Sequence, residues 1–409
     1  MERLFGIAGH WGFGNAPKGI TTYYYNQKDG TWELIETVRQ DIAAGQLCID
    51  TENNMVYCVN EIGNQRNMLG GGGYIEAFHI DPTTGKLIFI NEKKSLSCEP
   101  CYITLDITGK YLLVSHCSDP FHVTKITKDA NNKFDSEVLF DDCALVMFEV
   151  NQDGSIGEPC DVSITPNAGT DQPDSKSDVD PTTGHIQLTR VISRQHSVVQ
   201  SPSGKIYVVP DKGMDKIYTY RIDYEHKKLE RLSEYNCELK DFPRYAVFHP
   251  SEKYVYVNNE RAASVYAFNY DEETGMLEKI NCEPLLLDKS EDCFVKPVGA
   301  QDILISADGK YVYTSLEVID YICALKVQND GSLKLIQNIK SGGSFPRGLC
   351  LSPDGKILFA GNMLSGTITS FEIGNDGKLT PTGKVYPSVS PSAIRIFGLN
   401  QKRNHFVNR

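Results

Sequence analysis

Short segments in which hydrophobic and polar residues alternate recur along the whole chain. A period of two is typical of half-buried β-strands, and no long stretch has the period of an amphipathic helix. Each segment is followed by a tight turn and by a second strand rich in tyrosine and valine. The pattern therefore predicts an all-β protein built from one repeated unit. The first strand of the unit is found seven times, at 46–50, 102–106, 196–200, 245–249, 302–306, 348–352 and 393–397.

The turns between the first and second strands are also regular. They end in Gly-Lys at Gly109, Gly204, Gly309 and Gly355, where a tight hairpin needs a positive φ. A third and a fourth strand complete each unit, and the units recur about every 45 to 58 residues, as the blades of a β-propeller do. The step from 102 to 196 is close to two periods, but it contains only one copy of the signature. We therefore expect seven blades.

The two ends of the chain complement each other. The segment 4–39 resembles three strands without an inner one, and 392–399 resembles an inner strand without its blade. Pairing them would complete the seventh blade and remove two exposed sheet edges. We expect a single domain over 1–409, with loop insertions near 63–73, 118–142 and 165–180 that lie over one end of the channel.

Composition and charge narrow the possible partners. The 409 residues are 40% hydrophobic, which suits a globular protein, and the net charge is −12. That sign repels phosphate backbones and anionic membranes, so neither nucleic acid nor a membrane is an expected partner. The first residues lack a secretory signal and no apolar run has membrane-spanning length. We expect a cytoplasmic monomer or weak homo-oligomer.

The 12 cysteines do not indicate a metal site. Several lie within apolar strand patterns, where a free thiol behaves as a small hydrophobic group. Cys98 and Cys101 have metal-like spacing, but no second CxxC or His pair completes four ligands. The expectation is a protein with neither a metal nor a cofactor.

Polar residues are concentrated at one end of the predicted channel. In a propeller, the starts of the inner strands and the ends of the second strands meet around one mouth. The residues at these positions are Arg194, His196, Arg244, Asp302 and Arg347 at the inner strands, and Asn60, Glu61, His116, Asp211, Asn259, Glu260, Glu317 and Asn362 after the second strands. Crowded charges lose hydration, so a purely structural mouth would contain mostly small or apolar side chains.

These residue types suit ester hydrolysis. A carboxylate or imidazole can accept a proton from water, and guanidinium groups can stabilise the oxyanion that develops at a carbonyl. The chain has no Gly-x-Ser-x-Gly, P-loop or HExxH motif, which favours water as the nucleophile. A structural interpretation remains open, because Arg244 and Arg347 could simply pair with neighbouring carboxylates and His196 could be an ordinary strand residue.

The chain resembles a known family at these positions. The segments are Arg194-Gln195-His196-Ser197-Val198, Pro243-Arg244 with Asn259-Glu260, and Phe345-Pro346-Arg347 with Ser352-Pro353-Asp354-Gly355-Lys356. They are similar to the seven-bladed propeller lactonase family, which includes propeller-type 6-phosphogluconolactonases and is related to the fungal carboxy-muconate lactonizing enzyme. The resemblance implies a metal-free site in which His196, Arg244 and Glu260 are the catalytic group.

We therefore expect a lactone hydrolase that acts on a sugar lactone such as 6-phosphogluconolactone, in carbohydrate metabolism and the pentose phosphate pathway. Glu260 or His196 would activate water. The expected substrate-binding residues are Arg194, Arg347, Asp302, Glu61, His116 and Asn362. Two alternatives stay open: a cycloisomerase that uses the same groups, and a non-catalytic propeller that binds a metabolite or a protein.

Overall fold

The computed structural model describes residues 3–12, 19–65, 68–118, 122–167, 176–179, 186–287 and 299–399. All regular elements in these ranges are β-strands. Most belong to seven antiparallel sheets of four strands each, which form the blades of a propeller. The seven-bladed, all-β fold predicted from the sequence is confirmed.

Within blades 1 to 6 the strands follow the chain from the channel outward. The chain then passes from the outer strand of one blade to the inner strand of the next. The chain begins with β1 (Leu4–His10), β2 (Gly19–Asn26) and β3 (Thr31–Val38). Blade 1 and its small inserted hairpin contain β4 (Leu47–Asp50), β5 (Met55–Asn60), β6 (Asn64–Gln65), β7 (Met68–Gly71), β8 (Tyr74–Ile80) and β9 (Leu87–Lys94). Blade 2 and its inserted hairpin contain β10 (Pro100–Leu105), β11 (Tyr111–His116), β12 (His122–Lys128), β13 (Phe134–Phe140), β14 (Cys143–Val150) and β15 (Ile156–Thr165).

A further hairpin, β16 (Lys176–Val179) with β17 (Ile186–Thr189), precedes blade 3. Blade 3 contains β18 (Val199–Gln200), β19 (Tyr207–Asp211), β20 (Lys216–Asp223) and β21 (Lys228–Asn236). Blade 4 contains β22 (Pro243–Phe248), β23 (Tyr254–Asn259), β24 (Ser264–Tyr270) and β25 (Leu277–Pro284). Blade 5 contains β26 (Ala300–Ile305), β27 (Tyr311–Leu316), β28 (Tyr321–Val327) and β29 (Leu333–Lys340). Blade 6 contains β30 (Pro346–Leu351), β31 (Ile357–Asn362), β32 (Thr367–Ile373) and β33 (Leu379–Pro387).

The last strand, β34 (Pro391–Gly398), closes the ring. It pairs antiparallel with β1, with Phe397 opposite Phe5 and Ala393 opposite Gly9, so that blade 7 has the order β3-β2-β1-β34. The predicted pairing of the two chain ends is confirmed. Three hairpins, β6–β7, β12–β13 and β16–β17, lie within or next to the predicted loop insertions. Residues 66–67, 119–121, 168–175 and 180 of those insertions lie outside the described ranges.

Buried hydrophobic side chains are arranged in layers between the blades. The described residues form seven such clusters, one between each pair of neighbouring blades, including the pairs on either side of blade 7. Each sheet therefore packs on both faces, which explains why second strands such as Tyr111–His116 are buried along their whole length and rich in valine and tyrosine. Outer strands such as Leu87–Lys94 are partly exposed and vary in burial from residue to residue. No described element is a helix long and apolar enough to cross a membrane.

The tyrosines of the second strands also connect neighbouring blades. Tyr256 and Tyr313 donate their hydroxyls to the carbonyls of Gly331 and Gly377, at 3.2 and 3.0 Å. Both glycines lie in turns of the next blade and have φ of 83° and 78°. A Cβ at Gly331 would lie 2.3 Å from the ring of Tyr254, so the turn needs glycine for both its conformation and its close contact. The same hydrogen bond between a second-strand tyrosine and a turn glycine thus connects blade 4 to blade 5 and blade 5 to blade 6.

Blade 3 departs from the predicted pattern. The sequence predicts an inner strand over 196–200, but only Val199–Gln200 is regular, preceded by a single bridge between Gln195 and Asp211. At the start of this segment the Arg194 amide donates to the Asp211 carboxylate at 2.7 Å, as the amides of Phe242 and Phe345 donate to Asp215 and Asp320 in blades 4 and 6. The irregular segment contains two of the predicted site residues.

The ring closure gives a direct prediction. Removing the last twenty residues deletes β34, leaves the backbone groups of β1 unpaired and exposes the clusters on both sides of blade 7. We expect this truncation to lower the melting temperature by about 10 °C or more, or to abolish cooperative unfolding. Thermal unfolding of the full chain, of the twenty-residue truncation and of a ten-residue truncation that retains β34 isolates the strand's contribution. Equal melting temperatures for all three would contradict the closure.

Candidate active site

The same backbone hydrogen bond occurs at one mouth of the channel in all seven blades. In each blade, the amide of the residue after the second strand from the channel donates to a carbonyl just before the inner strand, at 2.8 to 3.3 Å. The donors, which we call the rim set, are Trp11, Glu61, Cys117, Lys212, Glu260, Glu317 and Met363. Their carbonyl partners are Ser390, Ala43, Glu99, Arg194, Phe242, Gly299 and Phe345. The bond fixes one equivalent side chain per blade around the mouth.

A second equivalent position lies two residues after each of these carbonyls. We call it the inner set: Gly45, Cys101, His196, Arg244, Gln301, Arg347 and Ser392. Phe242 and Phe345, which precede the Pro-Arg pairs of blades 4 and 6, have φ of 55° and 63°. Positive φ is uncommon for a phenylalanine and costs free energy, and such conformations cluster at functional sites. The two sets together carry most of the predicted site residues.

Glu260 is held between two cations. Lys212 Nζ from the neighbouring blade lies 3.1 and 3.3 Å from its two carboxylate oxygens, and Arg244 Nη1 from the same blade donates to Oε2. All three side chains are buried, with less than a tenth of their surface exposed. Burial raises the pKa of Glu260, but Lys212 and Arg244 outweigh it and lower the pKa to about 2. Glu260 is therefore an ionised carboxylate across the physiological pH range.

Glu61 has a different environment. Among the described residues its ion-pair partner is Arg347, whose Nη2 lies 3.5 Å from Oε1. The Arg347 guanidinium also lies 4.0 Å from the centre of the Trp11 ring. A Cβ at Gly45 would lie 1.9 Å from Glu61 Oε2, so the carboxylate occupies space that only glycine leaves open. Burial raises the pKa of Glu61 to about 7, because the opposing effect of Arg347 is smaller.

Arg194 and His196 both present nitrogen atoms without a partner among the described residues. Arg194 is buried, and its Nε and Nη1 have no hydrogen-bond acceptor. His196 packs edge-on against Tyr245 with ring centres 5.6 Å apart, and its Nδ1 is unpaired. Burial, together with Arg244 and Lys212, holds the pKa of His196 well below its usual value, so the imidazole is neutral. Buried donors without acceptors are costly, and a bound anion would satisfy those of Arg194.

The other predicted substrate-binding residues have partners within their own or the adjacent blade. Both carboxylate oxygens of Asp302 accept backbone amides, from Ile303 at 2.9 Å and from Leu349 at 2.8 Å. His116 Nδ1 lies 2.7 Å from the carbonyl of Ala144, and Asn362 donates to Thr369 at 3.0 Å. These three side chains contribute to the blades that surround the mouth, and their contact with substrate stays a prediction.

Lys212 and Cys117 occupy rim positions but are not among the residues predicted from the sequence. Asp211-Lys212 is equivalent to Asn60-Glu61 and Asn259-Glu260, and the predicted residue, Asp211, is the first of its pair. In the structure Asp211 supports the backbone, accepting the amides of Arg194, Gly213 and Met214. Aligning the residue after every second strand would have found Lys212.

The cysteines near the mouth show no metal geometry. Cys101 Sγ lies 3.2 Å from the carbonyl of Gln195, and Cys143 Sγ lies 3.0 Å from that of His116. Within the described part of the chain, no group of three or more His, Cys, Asp or Glu residues could hold a metal ion.

Comparisons with known proteins agree with the seven-bladed fold. The model of the family described as "Lactonase, 7-bladed beta-propeller" matches residues 7–396. The chain is 25% identical over 312 residues to the 6-phosphogluconolactonase of Bacillus subtilis, which covers 76% of this chain and 76% of that protein. It is 27% identical over 359 residues to the 6-phosphogluconolactonase of Formosa agariphila, which covers 86% and 88%.

Among solved structures, the periplasmic gluconolactonase PpgL of Pseudomonas aeruginosa superimposes with a TM-score of 0.78 over 97% of this chain and 100% of that one. Its sequence identity of 22% supports the fold alone. The family match, in contrast, spans the rim and inner sets of all seven blades from Trp11 to Ser392. This chain therefore belongs to the seven-bladed β-propeller lactonase family.

Proposed function

We propose that this protein hydrolyses a lactone that carries an anionic group, with a phosphorylated sugar lactone such as 6-phosphogluconolactone as the first candidate. One observation carries the choice of an anionic substrate. Four buried cations, Arg194, Lys212, Arg244 and Arg347, surround one mouth of a chain whose net charge is −12. Two guanidinium nitrogens of Arg194, Nε and Nη1, have no hydrogen-bond partner among the residues that the structure describes. Guanidinium groups bind phosphate and carboxylate through charge-assisted hydrogen bonds.

The site also contains the groups that lactone opening requires. Attack of water on the carbonyl creates an oxyanion, which the Arg244 guanidinium is placed to stabilise, since Glu260 holds it at the mouth. The neutral His196 can donate to or accept from the substrate without adding charge. His196, Arg244 and Glu260 are our proposed catalytic group, and the relatives named 6-phosphogluconolactonase support this reaction class.

The proposal extends to the setting of the reaction. A 6-phosphogluconolactonase acts in the pentose phosphate pathway, and we propose that role in the cytoplasm. The eleven cysteines of the described part are free thiols, which is the usual state in a reducing compartment. Assay of subcellular fractions tests the compartment, since one solved relative is periplasmic by name.

The source of the incorporated oxygen tests the reaction class. In water labelled with ¹⁸O, we expect one labelled oxygen in the carboxylate of the hydroxy-acid product, at a kcat of about 1 s⁻¹ or more. The panel should contain phosphorylated and neutral aldonolactones, with the enzyme-free rate subtracted at every pH. Rearrangement without solvent oxygen would identify a cycloisomerase. No acceleration with any lactone would contradict the proposed function.

The role of the cations is tested by neutralising Arg194. Arg194→Met keeps the length of the side chain and removes its charge, so we expect KM for the phosphorylated lactone to rise about 10- to 100-fold. For the neutral lactone of the same ring, KM should change about threefold or less, because no charged contact is lost. Arg221→Met is the matched control, since Arg221 is an exposed arginine paired with Glu230 on a strand of the same blade. Equal effects of Arg194→Met on both lactones would assign Arg194 a structural role.

A further inference from the structure

Three carboxylates occupy equivalent rim positions at the mouth, and two of them, Glu61 and Glu260, have unequal cationic partners. Glu260 receives three contacts from two cations, whereas Glu61 forms one ion-pair contact among the described residues, at 3.5 Å from Arg347. A carboxylate that takes a proton from water must have lone pairs free to receive it and must lose little on neutralisation. Neutralising Glu260 would leave Lys212 and Arg244 as buried, unpaired cations, which is costly. The contacts of the two carboxylates therefore suit them to different roles.

We propose that Glu61 accepts the proton from the attacking water, and that Glu260, fixed by Lys212, positions the Arg244 guanidinium for the developing oxyanion. The inference rests on the proposed lactone hydrolysis. It assigns a catalytic role to Glu61 and, within the proposed catalytic group, makes Glu260 a positioning residue that acts through Arg244. Lys212, a residue outside the set identified from the sequence, is a positioning residue as well.

The surroundings of Glu61 support its role as a base. The charged and titratable groups that act on it are Arg347, Cys117, Arg244 and Lys212, and Trp11 lies across the Arg347 guanidinium. Burial raises the pKa of Glu61 to about 7, close to neutral pH, where a general base combines availability with proton affinity. Glu260, with a pKa of about 2, stays ionised but has little affinity for a proton. Because Gly45 has no Cβ, it leaves free the space that the Glu61 carboxylate occupies.

Lys212 explains why the two carboxylates differ. Arg244 alone would give Glu260 one cation, comparable to the single Arg347 contact of Glu61. Lys212 adds two contacts from blade 3 and completes the enclosure of Glu260. The backbone amide of Lys212 donates to the carbonyl of Arg194, so Lys212 contacts both the Glu260 carboxylate and the main chain of Arg194.

The chemical step balances without any further reactant. The water oxygen forms a bond to the lactone carbonyl carbon, one water proton moves to the Glu61 carboxylate, and the π-electron pair moves to the carbonyl oxygen beside Arg244. Collapse of this intermediate breaks the bond between the acyl carbon and the ring oxygen. Glu61 returns its proton to that oxygen, which becomes a hydroxyl group. The product carboxylic acid releases its own proton to solvent, and the enzyme is restored.

The pH dependence of hydrolysis tests the assignment. For the wild-type enzyme, kcat should decline as the pH falls below about 7, because Glu61 becomes protonated. Glu61→Gln should lower kcat about 100-fold or more and remove this acidic limb. Glu260→Gln should retain the limb, although it perturbs Arg244 and therefore lowers kcat/KM. His196→Asn should also retain it. Loss of the limb in Glu260→Gln or His196→Asn, or its persistence in Glu61→Gln, would overturn the proposal.

Three further variants separate catalysis from structure. Glu317→Gln is the matched control, because Glu317 is a buried rim carboxylate that also requires a glycine, Gly299, beside it, and its removal should retain the limb. Glu61→Asp retains a titratable group and should keep a limb at reduced kcat, which a purely steric role would not predict. Lys212→Met removes a cation that lowers the pKa of Glu61, so the limb should move to higher pH, by up to about 1 unit.

The shift in Lys212→Met keeps the test decisive if Glu61→Gln does not fold, since an unmoved limb would contradict the assignment. Arg347→Met should move the limb further than Lys212→Met, because Arg347 is the stronger cationic influence on Glu61. Failure of the proposed function has a separate signature: the wild-type enzyme would then hydrolyse no lactone of the panel above the enzyme-free rate. An active wild type with an unchanged limb in Glu61→Gln rejects only the inference.

Discussion

The pairing of β34 with β1 is the contact on which the rest of the molecule depends. A propeller without closure would expose a strand edge and one apolar face at each end, and both are unfavourable in water. Here the two ends of the described chain share one sheet, and the seven hydrophobic layers form an uninterrupted ring. The closed ring in turn holds seven copies of one backbone hydrogen bond at the mouth. Each copy presents a side chain from a fixed position, so the chemistry of the site depends on which residue each blade supplies.

The blades supply charges in an uneven pattern, and this unevenness gives two similar carboxylates different properties. Two neighbouring blades place Lys212 and Arg244 on Glu260, whereas the Arg347 of blade 6 reaches Glu61 of blade 1 past Trp11 of blade 7. The first arrangement holds a permanent negative charge between two cations. In the second arrangement Arg347 does not fully offset the burial of the Glu61 carboxylate, so the pKa of Glu61 is raised. Repetition of the backbone and variation of the side chains thus produce an asymmetric site in a nearly symmetric fold.

Much of the fold follows from local sequence because a blade is formed by consecutive strands, and alternation and turn glycines are visible within short windows. The pairing of 393–397 with 4–8 was also predictable, since each end lacked what the other had. The position of Lys212 after the second strand of blade 3 is visible in the sequence, but its contact with Glu260 of blade 4 is not, because that contact depends on the side-chain conformations of both residues. The contact of Arg347 with Glu61 joins blades that are not adjacent, and it requires the rotamers of three residues. The ionised state of Glu260 likewise depends on the positions of three side chains, those of Glu260, Lys212 and Arg244.

Trp11 of blade 7 contacts the Arg347 guanidinium that pairs with Glu61, so the formation of this pair during synthesis depends on blade 7. Trp11 follows β1, and its amide is bonded to Ser390, directly before β34. The Trp11 side chain that contacts Arg347 therefore takes its final position only when β34 has paired with β1. A nascent chain on the ribosome can form blades 1 to 6 in succession, but the pair of Glu61 and Arg347 would be completed after β34 emerges. The enzyme would thus acquire its activity in a single step, when β34 pairs with β1, rather than progressively.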